Sequence, residues 1–309
     1  MKTSELVERY LACRRATGIK YESGTTHLRR LVRFVRDTGG LTKRKVGKAI
    51  LSNGRLTLTS RMRRSTFAVF FRWCVARGYL REIPILPELP RDLPRRSPHI
   101  FTDDEIRRLL TVRHEFRNRP RCLPAECART IFLLTYALGL RISEAMSLKL
   151  RDIDAAANVA TVRETKFYKT RLVPYNRTVA RRLDEFMRWR RKAGMPVAPE
   201  SPLFAKRDGT PVGDEQVRNA FHALCEEAGI AVDGGSPHIH DLRHSFAVRR
   251  LVSWYREGRD VRALLPKLSV YMGHSSVAGT SVYLSMTPEL LSESCARFER
   301  YATGGSRHE

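Results

Sequence analysis

Apolar residues in the first eighty positions recur at helical spacing. Leu6, Val7, Tyr10 and Leu11 mark a helix over residues 5–15 that stops at Gly18. Leu28, Leu31, Val32 and Val35 mark a second over 25–37, closed by Gly39 and Gly40. A third, over 60–77, gathers Phe67, Phe70, Phe71 and Cys74 on one side and leaves Arg61, Arg63, Arg64 and Arg72 elsewhere, with Gly78 after it. A shorter helix is expected near 46–51. Pro84, Pro87, Pro90, Pro94 and Pro98 then interrupt any regular element, with Arg91, Arg95 and Arg96 among them. Proline at that density blocks helix and stiffens the chain, so this stretch reads as a basic linker and domain boundary.

Beyond it the pattern is mixed. Thr102 with Glu105 three residues later is a capping box. An apolar helix over 130–138 ends at Gly139. Residues 158–163 alternate around Val159 and Val162 as a strand, with 171–174 as its partner and 165–170 as the turn. Helices are expected over 178–192, 214–228, 240–255 and 288–301. The fold class is mainly α with a small antiparallel β-sheet in the second domain. The domains are a helical one over 1–86, a linker over 87–98, a mixed one over 99–301 and a tail over 302–309.

Charge changes the picture. The 309 residues carry a net +25, unevenly: +16 over residues 1–98 and +9 over the rest. A front segment this basic suits an electrostatic grip on a polyanion. The amino terminus lacks the apolar run of a secretory signal, and no stretch is long and apolar enough to span a bilayer. The six cysteines are scattered, with neither C-x-x-C nor zinc spacing, as befits free thiols in a reducing cytoplasm. No metal or cofactor is expected.

Several polar residues could carry chemistry. Arg141 precedes Glu144 by three, so the carboxylate can reach back on one helical turn and orient the guanidinium. Alone, that pair is an ordinary helix salt bridge. His240 and Arg243 are also three apart, with His244 adjacent, and all three share one helix face. Two arginines from separate helices suit a phosphate, since each donates paired hydrogen bonds and keeps its proton. Lys166, with Lys169 and Arg171 after it, sits in the expected hairpin turn, where an ammonium can protonate a leaving alkoxide or simply be solvated. His274 follows Gly273 and can donate to a phosphoryl oxygen. Tyr283, nine residues later, is a candidate nucleophile or a buried aromatic.

In this order the elements closely resemble the tyrosine recombinase (phage integrase) family. The matching text runs from Ala137 to Glu144, through Thr165-Lys166 to Arg171-Leu172-Val173-Pro174, then His240 to Ala247 and Met272 to Ser276. The stretch from Arg243 to His274 is longer than in the commonest members and resembles the transposon-borne branch, whose recombinases are encoded in groups. The resemblance implies a two-domain architecture, a helical core-binding domain followed by a catalytic one. It implies that Tyr283 attacks a DNA phosphodiester to form a 3′-phosphotyrosyl link. Arg141 and Arg243 would hold the phosphate, with Lys166 as general acid, His240 and His274 assisting, and Glu144 in support. Arg61, Arg63, Arg64, Lys169 and Arg171 are the expected DNA contacts. Double-stranded DNA is the expected partner, within a homotetramer or a hetero-oligomer of sister recombinases, in the cytoplasm at the nucleoid. A non-cleaving accessory subunit on the same fold is the alternative.

Overall fold

A computed structural model describes residues 2–18, 21–35, 40–51, 54, 56–89, 96–112, 123–163, 170–206, 208–232, 236–274, 276, 278–285 and 292. The chain divides into two compact units, Met1–Arg96 and Ser97–Glu309.

The described residues of the first unit form α1 (Thr3–Ala16), α2 (Glu22–Val35), α3 (Lys43–Ile50) and α4 (Leu58–Ala76). They close over the apolar stripes legible in the sequence. Leu6, Val7, Tyr10, Leu28, Leu31, Val46, Phe67, Phe70, Phe71 and Cys74 form one buried core. Tyr10 stands edge-on to both Phe70 and Trp73, at ring separations of 5.4 and 5.2 Å, the arrangement that aromatic quadrupoles favour. Thr57 and Ser60 cap the start of α4 reciprocally. Leu86 and Leu89 pack against this core, and the Pro87 carbonyl accepts from Arg64 Nε at 2.7 Å.

The second unit builds a helical core around α6 (Ala125–Ala137), which packs on α5 (Asp103–Thr111), α8 (Arg177–Lys192), α9 (Asp214–Glu227) and α10 (Ile239–Arg256). Thr102 and Glu105 make the expected capping box, with the Thr102 amide donating to Glu105 Oε2 at 2.8 Å. A three-stranded antiparallel sheet lies beside it, in the order β1 (Ile153–Asp154), β2 (Val159–Val162), β3 (Arg171–Pro174). The register pairs Ala160 with Val173 and Val162 with Arg171. Ala160, Val162 and Val173 are buried, so one face of the hairpin joins the core. Most of the expected turn, residues 164–169, and the expected helix over 288–301 lie outside the described residues, apart from Ser292.

The helical turn expected from Arg141 to Glu144 forms, whereas the helix before His274 was not foreseen. α7 (Ile142–Met146) is a single short helix directly after Arg141. α11 (Val261–Met272) fills the long stretch before His274, although Pro266 lies inside it. Proline there removes one backbone donor and hides the helix from a sequence reading. The Asp260 carboxylate caps its start and Gly273, at φ +68°, ends it. After α12 (Ala278–Ser281), one 3₁₀ turn, Val282–Ser285, carries Tyr283.

Gly139 connects α6 to Arg141 in the left-handed conformation, φ +60°, and a Cβ there would lie 2.4 Å from Phe246 Cδ1. Gly139→Ala therefore combines left-handed strain with overpacking, together about 2–4 kcal/mol. Urea unfolding of the purified variant should show its midpoint lowered; an unchanged midpoint would mean that this turn relaxes freely.

Candidate active site

The site begins with a crowding problem. Arg141, Arg171 and Arg243 arrive from three different elements, and three cations held together need counter-charge. Glu144, only 6% exposed, supplies it. Its Oε1 accepts from Arg141 Nη1 at 2.7 Å and Arg171 Nη1 at 3.0 Å, and its Oε2 accepts from Arg171 Nη2 at 2.7 Å. Arg243 Nη1 stands 3.7 Å from the same Oε2. The Arg141 amide also donates to Oε2, at 2.9 Å, which is the first-turn return that the three-residue spacing allows.

The remaining donors meet the end of α11. Three successive carbonyls each accept from a different arginine: Tyr271 from Arg171 Nε at 2.8 Å, Met272 from Arg243 Nη2 at 2.7 Å and Gly273 from Arg141 Nη2 at 2.7 Å. Carbonyls at a helix end lack intrahelical partners and carry the negative pole of the helix dipole. Arg243 Nη1 adds the Gly139 carbonyl at 2.7 Å. Its Nε is buried with no partner among the described residues. A buried guanidinium with an open donor is suited to an oxyanion. Gly273 lets the strands of this network meet: a Cβ there would sit 2.9 Å from Arg171 Nη1 and 3.3 Å from Arg141 Nη1.

Charge balance sets the protonation states. Burial pushes the Glu144 carboxyl up, but the hydrogen bonds and charge of Arg171, then those of Arg141, overcome it and bring it to about 2. Burial and then the Arg141 charge lower Arg243 to about 10, which leaves it a cation at neutral pH.

Histidines flank the arginines. α10 is capped by Asp241, which accepts from the His238 amide at 2.9 Å and so aims the first turn. His240 and His244, one turn apart, meet edge to face at 4.7 Å. His240 is exposed. Desolvation by the surrounding protein, then the neighbouring His244, Arg243 and Arg141, push its pKa down to about 4. His274 Nδ1 pairs with Thr280 Oγ1 at 2.7 Å, and burial, then the Arg243 and Arg141 charges, lower it to about 4. Tyr283 is 3% exposed. Its hydroxyl lies 3.1 Å from His244 Nδ1, and its ring stacks at 6.2 Å from that of His274. Burial raises the phenol above its ordinary pKa, while Arg243 and then Arg141 draw it back down.

Thus Arg141, Glu144, His240, Arg243, His274 and Tyr283 come together. Lys166 and Lys169 lie outside the described residues. Arg171, expected as a DNA contact, is instead turned inward on Glu144, because the β2–β3 register places it opposite Val162 beside the end of α11. In the first unit, Arg63 donates to the Ile50 and Leu51 carbonyls and Arg64 to that of Pro87, so both have structural partners there. Arg61 and Arg64 nonetheless line a groove along α4 together with Arg72. His244 was the residue missed as a site member. Its sequence signals are its place beside Arg243 and the four-residue step from His240 on the same helix face.

The model of the phage integrase family matches residues 99–289, which hold every one of these site residues. The chain belongs to the phage integrase family. It is 37% identical over 236 residues to y4rB of Sinorhizobium fredii (strain NBRC 101917 / NGR234), named as an integrase/recombinase, covering 75% of each chain. It is 33% identical over 206 residues to the tyrosine recombinase XerA of Thermococcus kodakarensis, covering 65% of this chain and 63% of the relative. Among solved structures, the integrase of transposon Tn1549 in complex with transposon right end DNA shares the fold. The TM-score is 0.68 at 18% identity, covering 98% of this phage integrase family chain and 100% of that one.

Glu144→Gln should destabilise the protein by about 3 kcal/mol at neutral pH, since it leaves buried cations without their counter-charge. A carboxyl held near 2 stabilises the fold fully above its ordinary value of 4.5 and loses that contribution as pH falls through about 2. The gap between wild type and Glu144→Gln should therefore close across that window. Denaturant unfolding at pH 7, 4 and 2.5 checks this; a gap independent of pH would contradict it.

Proposed function

We propose that this chain is a site-specific recombinase that cuts and rejoins DNA strands through a 3′-phosphotyrosyl intermediate. The observation that carries this reading is the convergence of Arg141 and Arg243, through one carboxylate and neighbouring carbonyls, beside the hydroxyl of Tyr283. Arg141 and Arg243 hold the scissile phosphate and offset the charge that grows on its oxygens. Tyr283 Oη attacks phosphorus; the Oη–P bond forms and the bond to the 5′ oxygen breaks. Lys166 supplies the proton that lets this oxygen leave as a hydroxyl. His240 and His274 hydrogen-bond the phosphoryl oxygens. The 5′ hydroxyl of a partner strand then reverses the step. The phosphotyrosyl link retains the energy of the phosphodiester, so the cycle needs no nucleotide and no cofactor.

Residues 1–86 serve as the helical DNA-gripping domain, with Arg61, Arg64 and Arg72 of the α4 groove toward the backbone. Residues 99–301 form the catalytic domain, and 302–309 a tail. Double-stranded DNA is the partner. The solved relatives named as bound to DNA support that assignment, including the XerH recombinase on its palindromic site and the Tn1549 integrase. The active assembly is a tetramer of this chain, or of this chain with sister recombinases, on DNA in the cytoplasm at the nucleoid. Among the described residues no helix is long and apolar enough to cross a membrane.

Purified protein incubated with a nicked duplex carrying its target site, with chelator present, should form a covalent protein–DNA adduct visible in a denaturing gel. Tyr283→Phe should abolish the adduct while leaving mobility-shift binding unchanged. An adduct that persists in the Phe variant places the nucleophile elsewhere; no adduct from the wild type leaves a DNA-binding subunit that does not cut.

Binding should also fall steeply with salt. Each phosphate neutralised adds about −0.9 to the log–log slope. Replacing Arg61 and Arg72 together by Ala should flatten the slope by about 2 units if each meets one phosphate. An unaltered slope removes this groove from the DNA interface.

A further inference from the structure

Tyr283 must lose a proton when it attacks, and again receive one when the strand is rejoined. The phenol is buried, so bulk water is poorly placed to do either. His244 Nδ1 lies 3.1 Å from its oxygen, and the Arg243 guanidinium, a permanent cation that cannot take a proton, also reaches that hydroxyl. His274 is differently engaged: its Nδ1 is paired with Thr280, and its ring lies alongside that of Tyr283, tilted by only 23°. His240 contacts His244 edge to face and lies one turn further toward the start of α10. His244 is itself fixed. It follows the buried Arg243 on α10, and Ser245 on its other side is locked by donating to the Asp241 carbonyl at 2.8 Å and accepting from the Phe101 amide at 2.9 Å. The turn carrying Tyr283 packs on α10.

We propose that His244 is the catalytic base of the cleavage step and the acid of the rejoining step, an inference that rests on Tyr283 being the nucleophile. With its proton on Nε2, the neutral imidazole accepts the Tyr283 hydroxyl proton at Nδ1 as the Oη–P bond forms and the bond from phosphorus to the 5′ oxygen breaks. The leaving oxygen takes its proton from the separate acid assigned above to Lys166. In rejoining, the incoming 5′ hydroxyl returns a proton to that lysine, the Oη–P bond breaks and the His244 imidazolium reprotonates Oη. Both groups end each cycle as they began.

The test is single-turnover cleavage of two nicked duplexes, one with the ordinary scissile phosphate and one with sulfur as the 5′ bridging atom, a leaving group that needs no acid. His244→Gln should lower the rate about 100-fold on both, within the range of a lost general base. His244→Asn, whose amide can occupy the Nδ1 position but cannot take the proton, should show the same loss with unchanged DNA binding and unfolding midpoint. Added imidazole should restore part of the rate to His244→Gly. A wild-type rate in His244→Gln or His244→Asn overturns the inference. So does a defect that the sulfur leaving group erases, since His244 would then act on the leaving side. Wild type and Tyr283→Phe run in parallel keep the two readings distinct. An adduct in both refutes the nucleophile, whereas an adduct in wild type alone with full-rate His244 variants refutes only the base.

Discussion

Everything at the catalytic centre depends on holding three guanidiniums together without letting their repulsion drive them apart. A single carboxylate does not suffice for three cations. The structure adds the carboxyl-terminal end of α11, where the carbonyls from Tyr271 to Gly273 each take one arginine. The helix dipole and the Glu144 charge act in the same sense, so Arg141, Arg171 and Arg243 are fixed from one side by fully formed hydrogen bonds. Arg243 still has Nε in hand. A net positive, largely buried cluster of hydrogen-bonded guanidiniums remains. Such a cluster can stabilise a phosphoryl group whose charge grows during reaction, because dipoles already held in place need not reorganise when that charge appears.

The same device recurs in the first unit. Arg30 donates to the Ala49 and Leu51 carbonyls and Arg63 to those of Ile50 and Leu51, so the end of α3 is also closed by guanidiniums. In a chain this rich in arginine, helix ends are natural sinks for positive charge. This explains why the arginine count overstates the number of side chains facing a polyanion. Arg63 and Arg171 both read as surface cations by their position in the sequence, and both are drawn in by carbonyls whose location only the tertiary fold reveals. Arg61 and Arg72, by contrast, lie along the α4 groove.

That contrast separates what the chain discloses from what it hides. Local geometry was legible. The Thr102–Glu105 cap, the Arg141–Glu144 return, the β2–β3 pairing and the stripes of α1, α2 and α4 all depend on residues within one turn or one hairpin of each other. The long-range partners were not. Nothing in the spacing says that the end of α11 meets Arg171, about a hundred residues earlier, or that His244 rather than His240 reaches Tyr283. α11 itself escaped because Pro266 reads as a break. Asp260 and Gly273 bracket it well enough, through a cap and a left-handed stop, to hold the helix despite the missing donor.

The burial of Tyr283 follows from the same economy of space. A phenol at 3% exposure, raised by that burial, stays neutral until a phosphate arrives. Ionising it earlier would place an anion in an apolar setting among Phe246, Leu251, Leu268 and Met272, the satellite cluster that contains it. Arg243 and Arg141 lower that barrier without removing it, since Glu144 already balances part of their charge. Once a phosphate engages the arginines, its own negative charge opposes a free phenolate as well. Proton loss is then favourable only in concert with bond formation to phosphorus. Under the role proposed for Tyr283, a site organised in this way keeps the phenol unreactive in the resting protein and confines its activation to the moment when the ester is in place, which is what strand exchange without stray cleavage requires.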